Sequence, residues 1–277
     1  MFVKSNRRAG LKVTLLVAAL TGGLLLKGFI GAFEARLVFF PYKGEDENPG
    51  TLGIAYKSIA LTTSDGERII AWQLEPEDPI ADVVYFHGNG GNLSVWMPVL
   101  QSIHALRLRV LAIDYRGYGL STGAPTEDGV YRDAEAAVRH AVSNRTSGRP
   151  IIYWGRSLGG PIAASATRVA RPDGLILEST FVDKAAVIRA HPLLRMLNFF
   201  AAYRFETEKM LRDYSGPVLV MHGDRDSVIP YRLGEELYQR LREPKRFARV
   251  GGADHNDLFD ISRQAYWQPV VEFVRGL

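Results

Sequence analysis

The chain of 277 residues contains no cysteine. That excludes disulfides, a thiol nucleophile, thiolate-bound metal and a lipidated N-terminal cysteine. It also lacks a basic surplus once its N-terminus is set aside. Residues 1–36 hold Lys4, Arg7, Arg8, Lys12, Lys27 and Arg36 against Glu34 alone. Of 34 basic and 30 acidic residues in all, that leaves 28 against 29, a net charge of −1 for the remainder. The formal charge of +4 therefore belongs to the tail, and no basic face for nucleic acid is expected. There is no internal repeat, no low-complexity tract and no His/Asp/Glu cluster at metal-ligand spacing, so neither a metal nor a cofactor is expected.

What is present starts with the N-terminus. Met1–Lys12 is a short basic tail. Val13–Leu26 carries no charge, and apolar character resumes after Lys27 as far as Phe33. A membrane-spanning helix needs about 20 mostly apolar residues, which 13–33 supplies if Lys27 snorkels to the interface. A cleaved signal peptide, with an apolar core of about 7–15 residues, is the alternative, but Ile30-Gly31-Ala32 makes a poor cleavage site. The expectation is an uncleaved signal anchor over 13–33. Four basic residues precede it, so the N-terminus is expected in the cytoplasm and the rest of the chain on the periplasmic or extracytoplasmic side.

Residues 34–50 hold turn formers (Pro41, Lys43-Gly44, Asn48-Pro49-Gly50) and read as a linker to one large domain over 51–277. A composition of 47% hydrophobic and 23% charged residues suits a globular domain with a substantial core. Lys57–Thr63 and Arg68–Leu74 flank Ser64-Asp65-Gly66-Glu67, a strong hairpin signal. Val83–Phe86, Leu108–Ile113, Ile151–Trp154, Leu175–Leu177 and Val218–Met221 are short apolar runs, as expected of strands buried on both faces. Helical patterns lie between and after them: Leu93–Leu106, Asp128–Ser143, Pro161–Val169, Leu233–Arg242 and Ser262–Arg275. Such alternation predicts an α/β fold with a mainly parallel, doubly wound sheet and helices on both faces. Residues 181–213 break the rhythm and are rich in apolar and aromatic side chains. They read equally as a lid or acyl-binding wall and as a helix packed on the sheet edge.

The most informative stretch is Ile151-Ile152-Tyr153-Trp154-Gly155-Arg156-Ser157-Leu158-Gly159-Gly160. An apolar strand runs into Gly-x-Ser-x-Gly, and small residues then open a helix. This is the pattern of a nucleophile elbow. Flanking glycines relieve crowding on a sharp turn, and the helix N-terminus offers N–H groups where an oxyanion forms. Ser157 is the candidate nucleophile. Such a serine needs a base, and the base needs an orienting acid. His255, in the irregular loop Gly251-Gly252-Ala253-Asp254-His255-Asn256, is the candidate base; His222 stands at a strand end. Asp224 and Asp226 compete for the acid. Asp226 is followed by Val228-Ile229-Pro230, which re-enters packed structure, but the choice of Asp226 over Asp224 leans on the family pattern given below, while Asp254 is a weaker candidate beside His255. The oxyanion hole is assigned to backbone N–H groups of Leu158 and of Asn89 in His87-Gly88-Asn89-Gly90-Gly91-Asn92. A phosphate-binding role for that loop is disfavoured, since neither Gly-Lys-Ser/Thr nor Gly-x-Gly-x-x-Gly is present there.

These residues give the chain a resemblance to the α/β-hydrolase superfamily over residues 35 to 277. Within it, the likeness is to single-span membrane hydrolases of the serine-aminopeptidase-like and acylglycerol-lipase-like group, which includes protein depalmitoylases. The matching stretches are the His87–Asn92 loop, Asp114-Tyr115-Arg116-Gly117-Tyr118-Gly119-Leu120-Ser121, Gly155–Gly160, His222-Gly223-Asp224-Arg225-Asp226 and His255-Asn256-Asp257. The resemblance implies that Asp226 is the triad acid and that Asp114–Ser121 is a structural turn shaped by Arg116 and its glycines. It also implies a serine hydrolase acting on esters, thioesters, acylglycerols or, less often, peptides. Asp254 departs from the pattern, where a small residue is usual, and puts an extra negative charge next to His255. The resulting expectation is an ester or thioester hydrolase working through Ser157, Asp226 and His255 on an acyl ester or lipid-like substrate. A peptidase is the alternative, and a catalytically inactive membrane-tethered interaction protein is the reading from another class.

Overall fold

The computed structural model describes residues 30–191 and 202–277, apart from residues 32 and 262. The basic tail, all but the end of the expected signal anchor, and residues 192–201 of the expected insertion lie outside the described residues. Among the described residues no helix is long and apolar enough to cross a membrane.

In chain order the elements are α1 (residues 33–38), β1 (Phe40–Pro41), a 3-10 turn (Pro49–Leu52), β2 (Tyr56–Thr62), β3 (Arg68–Leu74), β4 (Ala81–Phe86), β5 (Gly90–Gly91), α2 (Leu93–Ala105), β6 (Leu108–Ile113) and α3 (Glu127–Ser143). There follow β7 (Ile151–Arg156), α4 (Gly159–Ala166), β8 (Gly174–Glu178), α5 (Lys184–Ala190), α6 (Thr207–Met210), β9 (Val218–Gly223), α7 (Tyr231–Arg240), β10 (Lys245–Val250), α8 (Leu258–Ile261) and α9 (Arg263–Arg275).

Every residue of β4, β7, β8 and β9 is buried, which is why the greater part of each reads as an apolar run. They form the middle of an eight-stranded sheet of order β10-β9-β8-β7-β4-β6-β3-β2. Only β3 opposes the others in direction, being antiparallel to both β2 and β6. One face packs on α3, α4 and α7 through Tyr153, Val130, Ile162 and Leu233. The other packs on α2, α8 and α9 through Trp154, Leu100, Leu258 and Tyr266. This is the α/β-hydrolase fold. Its loops at the C-terminal ends of the parallel strands collect the site residues.

β10 was not expected. Lys245–Val250 is an edge strand with half-exposed charged residues, so it lacks the apolar run that marks buried strands. It pairs with β9 in parallel, Lys245 facing Val218 and Val250 facing Gly223, and thereby delivers the His255 loop beside the Asp226 loop.

Residues 34–50 are not a free linker. Phe40 N–H donates to the Asn89 carbonyl (2.9 Å) and Tyr42 N–H to that of Gly91 (3.0 Å), so β1 pairs with β5. Asn92 Nδ2 donates to the Gly44 carbonyl (2.9 Å). Turn formers gave the segment an irregular path, but its backbone groups satisfy those of the glycine-rich loop. The described ends of the 181–213 insertion are fastened likewise. Glu34 accepts the N–H groups of Ala202 (2.6 Å) and Tyr203 (2.9 Å) and pairs with Lys184. Glu127 accepts those of Arg204 and Phe205, both at 2.6 Å.

At Gly159 a Cβ would lie 2.0 Å from the Phe86 carbonyl oxygen, whereas at Gly148 it would meet nothing within 4 Å. Gly159→Ala is therefore expected to lower stability by about 3 kcal/mol or more, because backbone cannot yield as a side chain can. Gly148→Ala, strained only by its positive φ, should cost roughly 1–2 kcal/mol. Urea denaturation of the two variants checks the contrast.

Candidate active site

Ser157 sits between β7 and α4 with φ +53°, a conformation that residues with side chains rarely adopt. Its backbone is held on both sides. Its N–H donates to the Glu178 carbonyl (2.8 Å), and its carbonyl accepts from Gly160 N–H (2.9 Å) and Thr180 Oγ1 (2.8 Å). The adjoining glycines have no room for a side chain. A Cβ at Gly155 would lie 2.2 Å from the Gly159 carbonyl oxygen, and one at Gly160 would lie 2.1 Å from Thr180 Oγ1.

His255 Nε2 is 3.0 Å from Ser157 Oγ, and its Nδ1 is 2.8 Å from Asp226 Oδ2. The carboxylate fixes the tautomer: Nδ1 carries the proton and donates it to Asp226, leaving Nε2 to accept from the hydroxyl. Asp226 Oδ1 accepts the N–H groups of Val228 (2.9 Å) and Ile229 (2.7 Å). His222 Nε2 lies 3.2 Å from Oδ2, while its N–H donates to the Ile229 carbonyl at 2.8 Å. Burial pushes the Asp226 carboxyl up. The nearness of His222 and the hydrogen bond from His255, with the charge of His255 and the Ile229 N–H, outweigh it and hold the carboxyl well below the usual carboxylate range. Asp224 points elsewhere, to Arg249 (2.6 Å) and the Gly252 N–H (2.7 Å), where it clasps the ends of β9 and β10. Asp254 accepts the N–H and hydroxyl of Ser227 (2.7 and 2.9 Å) and the N–H of His255 (2.7 Å), pinning the acid loop to the histidine loop.

Leu158 begins the turn into α4. The loop with Asn89 stands across from it, since a Cβ at Gly88 would lie 3.7 Å from Ser157 Cβ. Asn89 is fixed through its own polar atoms. Its Nδ2 donates to the Val38 carbonyl (3.0 Å), and its carbonyl accepts from Tyr118 Oη (2.7 Å) as well as Phe40. His87 is buried among Trp96, Tyr115 and Tyr118, with Nδ1 2.7 Å from the Gly88 carbonyl. The Asp114–Ser121 turn is braced by Arg116, which binds Asp133 (2.9 Å) and Asp65 (2.8 Å). Among the described residues no three His, Asp or Glu side chains group as metal ligands.

Sequence reasoning passed over three groups that touch this constellation. His222 was read only as a strand-end residue, yet its Nε2 lies 3.2 Å from Asp226 Oδ2 and donates to the Ile229 carbonyl (2.8 Å), in the same turn. Arg156 and Glu178 are buried behind Ser157. The available signal was a charged residue closing each of two otherwise apolar strands.

Residues 77–216 match the family described as Serine aminopeptidase, S33 (Hydrolase_4). The chain belongs to this family of α/β-hydrolases. The Mycobacterium tuberculosis protein Rv2307c is 32% identical to this S33 hydrolase over 260 residues, 91% of this chain and 90% of its own. The alpha/beta hydrolase domain-containing protein WAV2 of Arabidopsis thaliana is 31% identical over 284 residues, 91% of this chain and 92% of its own. Among solved structures, the Pyrococcus furiosus esterase Pf2001 superposes with a TM-score of 0.71 at 19% identity, covering 86% of this chain and 97% of that chain. At that identity the likeness is one of fold.

In this hydrolase burial pushes the His87 imidazole down to about 4, against a weaker opposing pull from the Gly88 carbonyl. The unfolded chain takes up this proton near its ordinary value of 6.5, so it binds more protons than the native state between about 6.5 and 4. Stability is therefore expected to fall as pH drops through that window, by on the order of 2 kcal/mol from this group. Melting temperature against pH should show the decline in the wild type and a flatter curve in His87→Asn.

Proposed function

We propose that this hydrolase cleaves carboxylic esters or thioesters through an acyl-enzyme on Ser157, with His255 as general base and Asp226 as its orienting acid. One observation carries the reading: His255 bridges the Ser157 hydroxyl and the Asp226 carboxylate at 3.0 and 2.8 Å. His255 Nε2 takes the hydroxyl proton as Oγ attacks the acyl carbonyl. The backbone N–H groups of Leu158 and Asn89 then hold the oxyanion. The imidazolium returns the proton to the departing alcohol or thiol. Water, deprotonated by the same imidazole, attacks the acyl-enzyme, and Ser157 recovers its proton as the acid leaves. Asp226 stays ionised throughout, because its three donors all favour the carboxylate.

The apolar character of the 181–213 segment supports an acyl chain or lipid-like group as substrate. The family's name, serine aminopeptidase, supports the second reading, a peptidase acting at an amino terminus. Ser157→Ala is expected to abolish labelling by a fluorophosphonate and to lower kcat on p-nitrophenyl butyrate by about 10⁴-fold or more. Asp226→Asn should lower it by roughly 10³–10⁴-fold, through the wrong histidine tautomer. Labelling retained in Ser157→Ala would remove the nucleophile assignment. A wild type inert to both reagents would favour an inactive interaction scaffold. A chain-length series of esters assayed beside aminoacyl amides separates esterase from peptidase.

The same proposal keeps residues 13–33 as a signal anchor with the catalytic domain on the extracytoplasmic side, on the strength of the apolar length and the preceding basic residues. Protease added to cells with a permeabilised outer envelope and an intact inner membrane is expected to digest the domain. Digestion only after inner-membrane rupture would contradict that orientation.

A further inference from the structure

Arg156 fills the variable position between Gly155 and Ser157, and its side chain is buried. The parallel register of β7 and β8 sets it directly opposite Glu178, which is also buried. Arg156 Nη1 lies 3.4 Å from Glu178 Oε1. Its Nη2 donates to the backbone carbonyl of His255 at 2.8 Å, across 99 residues of sequence. The guanidinium also lies over the Trp96 ring, 5.0 Å from its centroid. Trp96 in turn donates from Nε1 to the Gly90 carbonyl (2.9 Å) and fills the space beside Gly88. Glu178 is held by Trp154 Nε1 (2.9 Å) and Tyr266 Oη (2.8 Å), and its own carbonyl accepts the Ser157 N–H.

A single buried cation therefore reaches the histidine loop directly. Through one neighbour each, it reaches the nucleophile and the loop bearing Asn89. We propose that Arg156 is a positioning residue, which sets the reach of His255 toward Ser157 and braces the oxyanion loop through Trp96. The inference rests on the serine-hydrolase reading above. Stability alone does not account for the arrangement, because a buried ion pair replaced on both sides by neutral groups is often no less stable. What neutral groups do not replace is a rigid donor fork aimed at a carbonyl while its flat face stacks on an indole. A misplacement of about 1 Å at reacting groups costs on the order of 100-fold in rate.

The test separates positioning from charge balance. Arg156→Met alone leaves Glu178 charged and unpaired, and is expected to be strongly destabilised. Arg156→Met/Glu178→Gln removes both charges and keeps an acceptor for Trp154 and Tyr266. It should regain the wild-type melting temperature. Its kcat on p-nitrophenyl butyrate should stay down by roughly 10- to 100-fold with KM little changed, and fluorophosphonate labelling of Ser157 should slow in parallel. Arg156→Lys, which keeps the charge but only one point donor, should fall between. A stable double variant with wild-type kcat overturns the proposal and leaves Arg156 a partner for Glu178 only. If the double variant fails to fold, Arg156→Lys decides: reduced kcat at unchanged melting temperature supports positioning, and unchanged kcat overturns it. Wild type is assayed first; if Ser157 is not labelled there, the serine-hydrolase reading falls and the proposal with it.

Discussion

Where β7 turns into α4, the backbone of Gly159 passes so close to the Phe86 carbonyl that no side chain fits between them. Gly155 and Gly160 are under the same constraint from Gly159 and Thr180. This crowding packs the helix that follows Ser157 tightly against the two central strands. It also leaves Ser157 no relaxed conformation: the residue is held at φ +53° by hydrogen bonds to Glu178, Gly160 and Thr180. Strain of this kind persists only where surrounding structure over-determines it. Here it keeps the hydroxyl within 3.0 Å of His255 and the following N–H groups at the mouth of a helix.

Asp226 and His255 are fixed by a second set of constraints, in the loops after β9 and β10. Asp226 has three donors on its two oxygens, so its carboxylate has little freedom to rotate or to take up a proton. Asp254 ties Ser227 to the His255 backbone, and Arg156 ties the His255 carbonyl to the strand behind Ser157. The imidazole thus hangs between two loops, each anchored to the sheet through buried or partly buried charges. The extra acidic residue beside the histidine is occupied with backbone and hydroxyl donors.

The N-terminal segment enters the same network from outside the sheet. β1 completes the hydrogen bonds of the His87–Asn92 loop, and Glu34 in α1 grips both described ends of the 181–213 insertion. A stretch that leads in from the apolar 13–33 region is thereby coupled to the loop bearing Asn89 and to the segment that flanks the site.

Much of this was legible from local spacing. Mostly apolar runs within β4, β6, β7, β8 and β9 mark these strands, since burial on both faces leaves little polar alternation. The Gly155–Gly160 pattern marks the turn, because only small residues fit it. The order of serine, acid and histidine singled out the loops that meet. Other features depend on side-chain direction and cross-strand register, which spacing does not encode. Asp224 and Asp226 stand two residues apart in one turn, and only the fold sends one to Arg249 and the other to His255. β10 carries charges on an edge and gave no apolar signal. The pairing of Arg156 with Glu178 arises because β7 and β8 end in register, and the link from Arg156 to His255 spans residues that only packing brings together. Short-range sterics and hydrophobic pattern were enough to mark the sheet and the tight turn at Ser157. Which buried charges hold the imidazole in place was settled only by folding, because that choice is made by groups distant in the chain and adjacent only across strands.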